Sequence, residues 1–260
     1  MSKSLRIITA SDLHQSESLY LQLGKAVEQY RPDVLALVGD FLDVPGTGTG
    51  MLSVPACAEA VAKMRVPEVV AVRGNHEDWN FLAFEEAFTR TTRQFRTLHG
   101  EAQNFGPMTM IGFPTLLGDE TAFTLYKPPL ASHPDGWLPQ LIRKIGPRAR
   151  TFWAMHEPPA GTPLSVSSGP LSGNCEWTDS IHRFSPWLVV CGHDHLTPER
   201  NGKWSHRLGD TIVVNVGQSD GSELHYAVIE AEFDFGRPSL PRRMTVTAHP
   251  WNQSFELPFR

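Results

Sequence analysis

Five apolar runs of strand length each end on residues able to bind a metal ion or move a proton. Residues 5–11 lead to Asp12-Leu13-His14, residues 34–38 to Gly39-Asp40-Phe41-Leu42-Asp43, and residues 68–72 to Gly74-Asn75-His76-Glu77. Residues 151–155 lead to His156, and residues 187–191 to Gly192-His193-Asp194-His195. Between the first two runs, Leu19, Leu23, Val27 and Tyr30 share one face of a helix. Arg31-Pro32-Asp33 ends it, because the residue before a proline is pushed out of the helical region. Strands alternating with helices predict βαβ units and a largely parallel sheet. In such sheets, sites lie beyond the carboxyl ends of the strands. The five polar termini are therefore expected to meet.

Further helices are expected over 56–65 and 81–90, and a strand over 108–112. The segments 113–139 and 157–175 are rich in proline and glycine and read as long loops, which inside a compact domain are usually functional or disordered. With 44–54 they are expected to surround the strand ends and to set substrate choice. Beyond His195 the pattern becomes strands at 204–208, 211–216 and 224–231, with short turns at Gly209-Asp210 and 217–221 that fit hairpins. Antiparallel strands after βαβ units suggest a second sheet against the first. The tail from Glu232 reads as either a sheet-edge or a subunit-contact segment. No repeat or linker divides the chain, so residues 1–260 are expected to form one domain.

The net charge of −5 and pI near 6.1 give no excess of positive charge to attract nucleic acid or anionic membrane. No run approaches the roughly 20 apolar residues of a membrane span, and residues 1–6 hold no signal-peptide core. Three scattered cysteines, Cys57, Cys175 and Cys191, suit neither a disulfide framework nor a thiolate zinc site. A cytoplasmic protein is expected. Carboxylate, imidazole and amide donors without thiolate suit manganese, iron or zinc, and admit magnesium. Their number suits two divalent ions, and an aspartate can face both with its two oxygens.

The ordered set of motifs resembles the calcineurin-like metallophosphoesterase family, over about residues 5–216. The resemblance implies an α/β fold of two stacked mixed β-sheets flanked by helices. It implies that Asp12, His14 and His195 bind one ion, that Asn75, His156 and His193 bind the second, and that Asp40 bridges. It places His76 beside the substrate phosphate as a general acid, with Asp43 hydrogen-bonded to its far ring nitrogen. The implied reaction is in-line attack on phosphorus by a hydroxide shared between the ions, with no covalent intermediate.

The resemblance identifies the superfamily better than the substrate. Protein serine/threonine phosphatases continue the second motif with arginine and glycine, whereas Val44 and Pro45 follow Asp43 here. DNA-processing relatives usually carry capping or basic segments, and none is evident. A phosphodiester or phosphomonoester of a small molecule or nucleotide is the expected substrate; a nuclease and a non-catalytic scaffold are the alternatives. The remaining histidines, at 99, 133, 182, 206, 225 and 249, read as surface or satisfied core groups. Arg73 reads as exposed or ion-paired. Glu77 and Asp78 read as acidic residues favouring a helix N-terminus, and Trp79, Trp137 and Trp177 as packing groups.

Overall fold

The continuous apolar runs become central strands because both faces of each are covered. The computed structural model describes residues 2–43, 51–77, 80–91, 94–113, 134–146, 151–166, 173–195, 197–217, 223–234 and 241–257. Asp78, Trp79, His133, residues 44–50, 114–133 and 167–172 lie outside these, so most of the first two expected loops and the middle of the third do too.

Among the described residues the strands form two sheets, one of them with seven strands. Its parallel half runs β1 (Ser2–Ala10), β2 (Val34–Val38), β3 (Glu68–Val72) and β4 (Phe95–Thr97). Its antiparallel half adds β11 (Tyr226–Asp234), β12 (Pro241–His249) and β13 (Gln253–Glu256) on the other side of β1. The second sheet has six strands. Here β6 (Met108–Phe113), β7 (Phe152–Met155), β8 (Leu188–Cys191) and β10 (Thr211–Asn215) are parallel, and β5 (Glu101–Phe105) and β9 (Ser205–Leu208) form antiparallel edges.

Alternation along the strands builds three layers of core. Ala36, Val38, Val70 and Val72 face inward against Phe152, Ala154, Leu188 and Val190 of the other sheet. Their neighbours Leu35, Leu37, Val69 and Ala71 face outward, beneath α1 (Glu17–Tyr30), α2 (Val54–Lys63) and α3 (Phe81–Thr89). The outer face of the second sheet packs Trp153, Met155 and Val189 against α4 (Pro134–Ile145) and α5 (Cys175–Phe184). A short α6 (Thr197–Asn201) follows β8. Helices thus flank two stacked mixed sheets, as expected.

Several expectations about the connections are corrected. The second sheet comes from the middle of the chain, whereas strands beyond residue 225 return to complete the first. The turn at Gly209-Asp210 does join a hairpin, β9 to β10. Residues 218–221 of the second expected turn lie outside the described residues, but the strands on either side, β10 and β11, belong to different sheets, so no hairpin joins them. The tail supplies β12 and β13 at the sheet edge. Helix α4 occupies the end of a segment read as irregular. Its Pro139 removes one helical hydrogen bond, but Trp137, Leu138, Leu141, Ile142 and Ile145 supply an apolar face that docks on the sheet.

Candidate metal centre

The chain leaves its strands in an unusual backbone conformation. Asp12, His14 and Gln15 have φ of 57, 43 and 56°, Asp40 has 48° and His193 has 66°. A non-glycine residue in this left-handed region costs about 1–2 kcal/mol, and such residues persist only where their surroundings over-determine them. Here the turns beyond β1 and β2 bind each other: the amides of Asp12, His14 and Gln15 donate to the carbonyls of Gly39, Asp40 and Phe41 at 3.0, 2.9 and 3.2 Å. Gly39, at φ 84°, lies where a Cβ would come within 2.6 Å of the His156 ring carbon Cγ. The absence of a side chain there lets the two sheets bring Asp40 and His156 together.

Asp12 and His14 follow β1, Asp40 follows β2, Asn75 and His76 follow β3, His156 follows β7, and His193 and His195 follow β8. All converge at one end of the paired sheets, in two groups. In the first, His195 Nε2 lies 2.9 Å from Asp12 Oδ1 and 3.4 Å from His14 Nε2. In the second, His156 Nε2 lies 3.1 Å from Asp40 Oδ2, 3.1 Å from Asn75 Oδ1 and 3.2 Å from His193 Nδ1. Ligand atoms of Asp12, His14 and His195, and likewise of Asp40, His156 and His193, lie within 4.8 Å of one another. Facing lone pairs repel unless a proton or cation lies between them, and this oxygen-and-nitrogen set suits a divalent cation of borderline or hard character. The outer nitrogen of His156, Nδ1, faces the Val38 carbonyl at 3.1 Å, a bond that leaves Nε2 for the centre.

Charge distribution follows from burial and pairing. Burial alone would raise the Asp12 carboxyl, but the charge and hydrogen bond of His195 hold it below the usual range. Asp40 follows the same logic, with His156 lowering it against burial. Burial would lower His156, yet Asp40, by charge and hydrogen bond, pushes it up to about 10. His195 is raised by Asp12 against burial, whereas His14 is lowered, chiefly by burial. In metal-free protein the raised histidines stabilise the fold below their ordinary pKa of 6.5, and this contribution fades as pH rises towards about 10. The depressed carboxylates contribute above 3.8 and lose that contribution as pH falls. Chelator-stripped protein should therefore show a melting temperature that falls from pH 7 to 10. A flat melting temperature across that alkaline range would contradict the pairing.

His76 sits at the rim. Its Nδ1 lies 2.7 Å from Asp43 Oδ1, and its Nε2 lies 3.9 Å from Asp40 Oδ2. The side chain is 34% exposed. Asp43 is itself held at both ends of its peptide. Its amide donates to Gln15 Oε1 at 2.9 Å, and its carbonyl accepts from Asn80 Nδ2 at 2.7 Å. Neither Gln15 nor Asn80 carries a sequence signal beyond its place near a motif.

Sequence reading also missed two carboxylates. Glu77, read as a helix-terminus residue, is fully buried and turned away from α3. It accepts from the amides of Asp40, Leu42 and Gly74 at 3.0, 3.0 and 2.6 Å. Burial, with the Asp40 carboxylate beside it, pushes Glu77 up to about 8. Glu157, equally buried, accepts from Trp177 Nε1 at 2.9 Å. Arg73 is buried rather than exposed, and its amide donates to His99 Nε2 at 3.1 Å. His225 Nδ1 donates to the Gly217 carbonyl at 2.8 Å, and His249 stacks on Tyr226, as satisfied core groups. Trp177 packs edge-on to Phe113. Among the described residues, no helix is long and apolar enough to cross a membrane.

Comparison with known proteins gives a consistent picture. The family profile described as calcineurin-like phosphoesterase matches residues 5–196. A solved structure from Thermus thermophilus covers 98% of this chain and 100% of its own, at 16% identity and a TM-score of 0.62. A dimetal phosphatase from Danio rerio covers 98% and 99%, at 12% identity and a TM-score of 0.63. At these identities the two likenesses are of fold. No curated protein matches the chain in sequence.

Proposed function

The chain belongs to the calcineurin-like phosphoesterase family of metal-dependent phosphoric ester hydrolases, and we propose that it cleaves a phosphodiester or phosphomonoester of a small molecule or nucleotide at a centre of two divalent ions. The observation that carries this reading is the convergence of two facing donor groups with Asp40 between them. Asp12, His14 and His195 would hold one ion, and Asn75, His156 and His193 the other. Asp40 would serve both, since Oδ2 faces His156 while His14 and Asp40 also fall within one cluster. Two such ions, when bound, supply positive charge to the phosphoryl oxygens and acidify the attacking water.

The chain's own residues supply the rest. The Val38 carbonyl fixes the His156 ring, and the His193 amide donates to Asp12 at 3.0 Å, holding that carboxylate against its neighbours. With Nδ1 engaged by Asp43, His76 presents Nε2–H to the leaving oxygen as general acid. Attack opposite that oxygen gives in-line displacement by water. Manganese, iron or zinc are the proposed metals. The three cysteines are free thiols, which fits a reducing compartment, and we place the enzyme in the cytoplasm.

The test is hydrolysis of bis-p-nitrophenyl phosphate and p-nitrophenyl phosphate by chelator-stripped protein, with manganese, zinc, iron or magnesium added back. Metal-dependent turnover of at least one ester is expected, and the preferred ester separates phosphodiesterase from phosphatase. No turnover with any metal, in protein shown to bind two ions, would refute the catalytic reading.

A further inference from the structure

We propose that Glu77 is the positioning residue that sets the separation of the two metal-binding groups, by clamping the turn that carries Asp40 to the turn that carries Asn75. This rests on the two-metal reading of the site. The Glu77 carboxylate spans both turns: Oε1 accepts from Leu42, and Oε2 accepts from Asp40 and Gly74. The link is closed from the other direction, because the His76 amide donates to Asp40 Oδ1 at 2.9 Å. Asp40 is thereby fixed at its amide and at its side chain by adjacent residues of one short segment. Two bonds to Asp40 and Leu42 brace the turn containing the left-handed Asp40, a conformation that needs outside support.

The main chain of Glu77 extends the clamp. Its carbonyl accepts from Asn80 and Phe81 at 3.2 and 3.0 Å, so α3 begins on it. The Asn80 side chain makes no cap bond to α3 and binds the Asp43 carbonyl instead. A shorter side chain, or one that turns N–H towards these amides, cannot reproduce the three acceptor contacts of this buried carboxyl. Glutamine turns an amide N–H₂ towards backbone N–H donors, and aspartate keeps both carboxyl oxygens but lacks one methylene of reach.

Glu77→Gln and Glu77→Asp in the full chain separate these effects. Wild type is first loaded with manganese to establish two bound ions and their magnetic coupling by electron paramagnetic resonance. Fewer than two ions in wild type would refute the two-metal reading itself, independently of Glu77. With two ions established, calorimetry should show manganese affinity reduced about 10–100-fold in both variants. The coupled-pair signal should be weakened or lost in both, while circular dichroism and metal-free melting show a folded protein. Retention of wild-type affinity and coupling by Glu77→Asp would show that the reach of the side chain does not matter and overturn the positioning role. Retention by both variants would overturn it outright. Loss of the fold in both would make Glu77 a folding element and overturn it as well.

Discussion

Asp40→Asn should lower metal-dependent turnover of bis-p-nitrophenyl phosphate by roughly a thousandfold or more, because it removes the carboxylate proposed to serve both ions. The charge stabilisation at stake is several kcal/mol, at about tenfold in rate per 1.4 kcal/mol. The substitution is nearly isosteric, and its remaining oxygen can still accept from the His76 amide, so the fold should survive. Bound manganese should fall from two ions to one or none. The amide nitrogen introduced opposite His156 also removes the partner that holds that imidazole protonated in metal-free protein. Turnover within tenfold of wild type, with two manganese ions bound, would remove Asp40 from the bridging role.

Strands β1 to β3 of the first sheet were legible because their physics is local. Continuous apolar runs at 34–38 and 69–72 read as strands buried on both faces, and α1 announces itself by its face and by Arg31-Pro32. The edge strands were harder, β4 of the first sheet and β5 of the second. Strands β4 and β5 are short and polar, and their burial is partial, so nothing in their own pattern separates them from loop. The return of β11 to pair with β1 rather than with β10 is a long-range choice, made by Ile229 and Val228 fitting the two faces of the first sheet. No local periodicity encodes that choice.

The candidate site divides along the same line. Its histidines and aspartates stand just after the apolar runs that deliver them, so their order carried the family resemblance from which the candidate set was drawn. Supporting groups gave no such signal. Glu77 looked like an acidic residue before a helix, and only the tertiary fold brings the amides of Asp40, Leu42 and Gly74 around its carboxylate. Gln15 sits beside His14 in sequence, but its partner, the Asp43 amide, is 28 residues away. A side chain whose function is to hold the backbone of a distant turn cannot be recognised before that turn is placed.

His76→Asn should lower turnover by about 10²–10⁴-fold on an ester whose leaving group needs a proton, while both ions remain bound. The side chain lies at the rim, bonded to Asp43 through Nδ1, and is not among the seven residues assigned here to the ions. Its proposed task concerns only the oxygen that departs. A nitrophenolate leaves without protonation, so the loss on bis-p-nitrophenyl phosphate should be much smaller than on an alkyl ester of the same charge. That contrast is diagnostic, because a variant damaged in metal binding or folding would lose both activities together. Asp43→Asn should show the same selectivity at smaller amplitude, since it loosens the imidazole without removing it. Equal losses on the activated and the alkyl ester, with metal content unchanged, would move His76 from acid catalysis to binding of the phosphoryl group. Loss of one ion from His76→Asn would instead make it a ligand, consistent with its place in the His14–Asp40–His76 cluster.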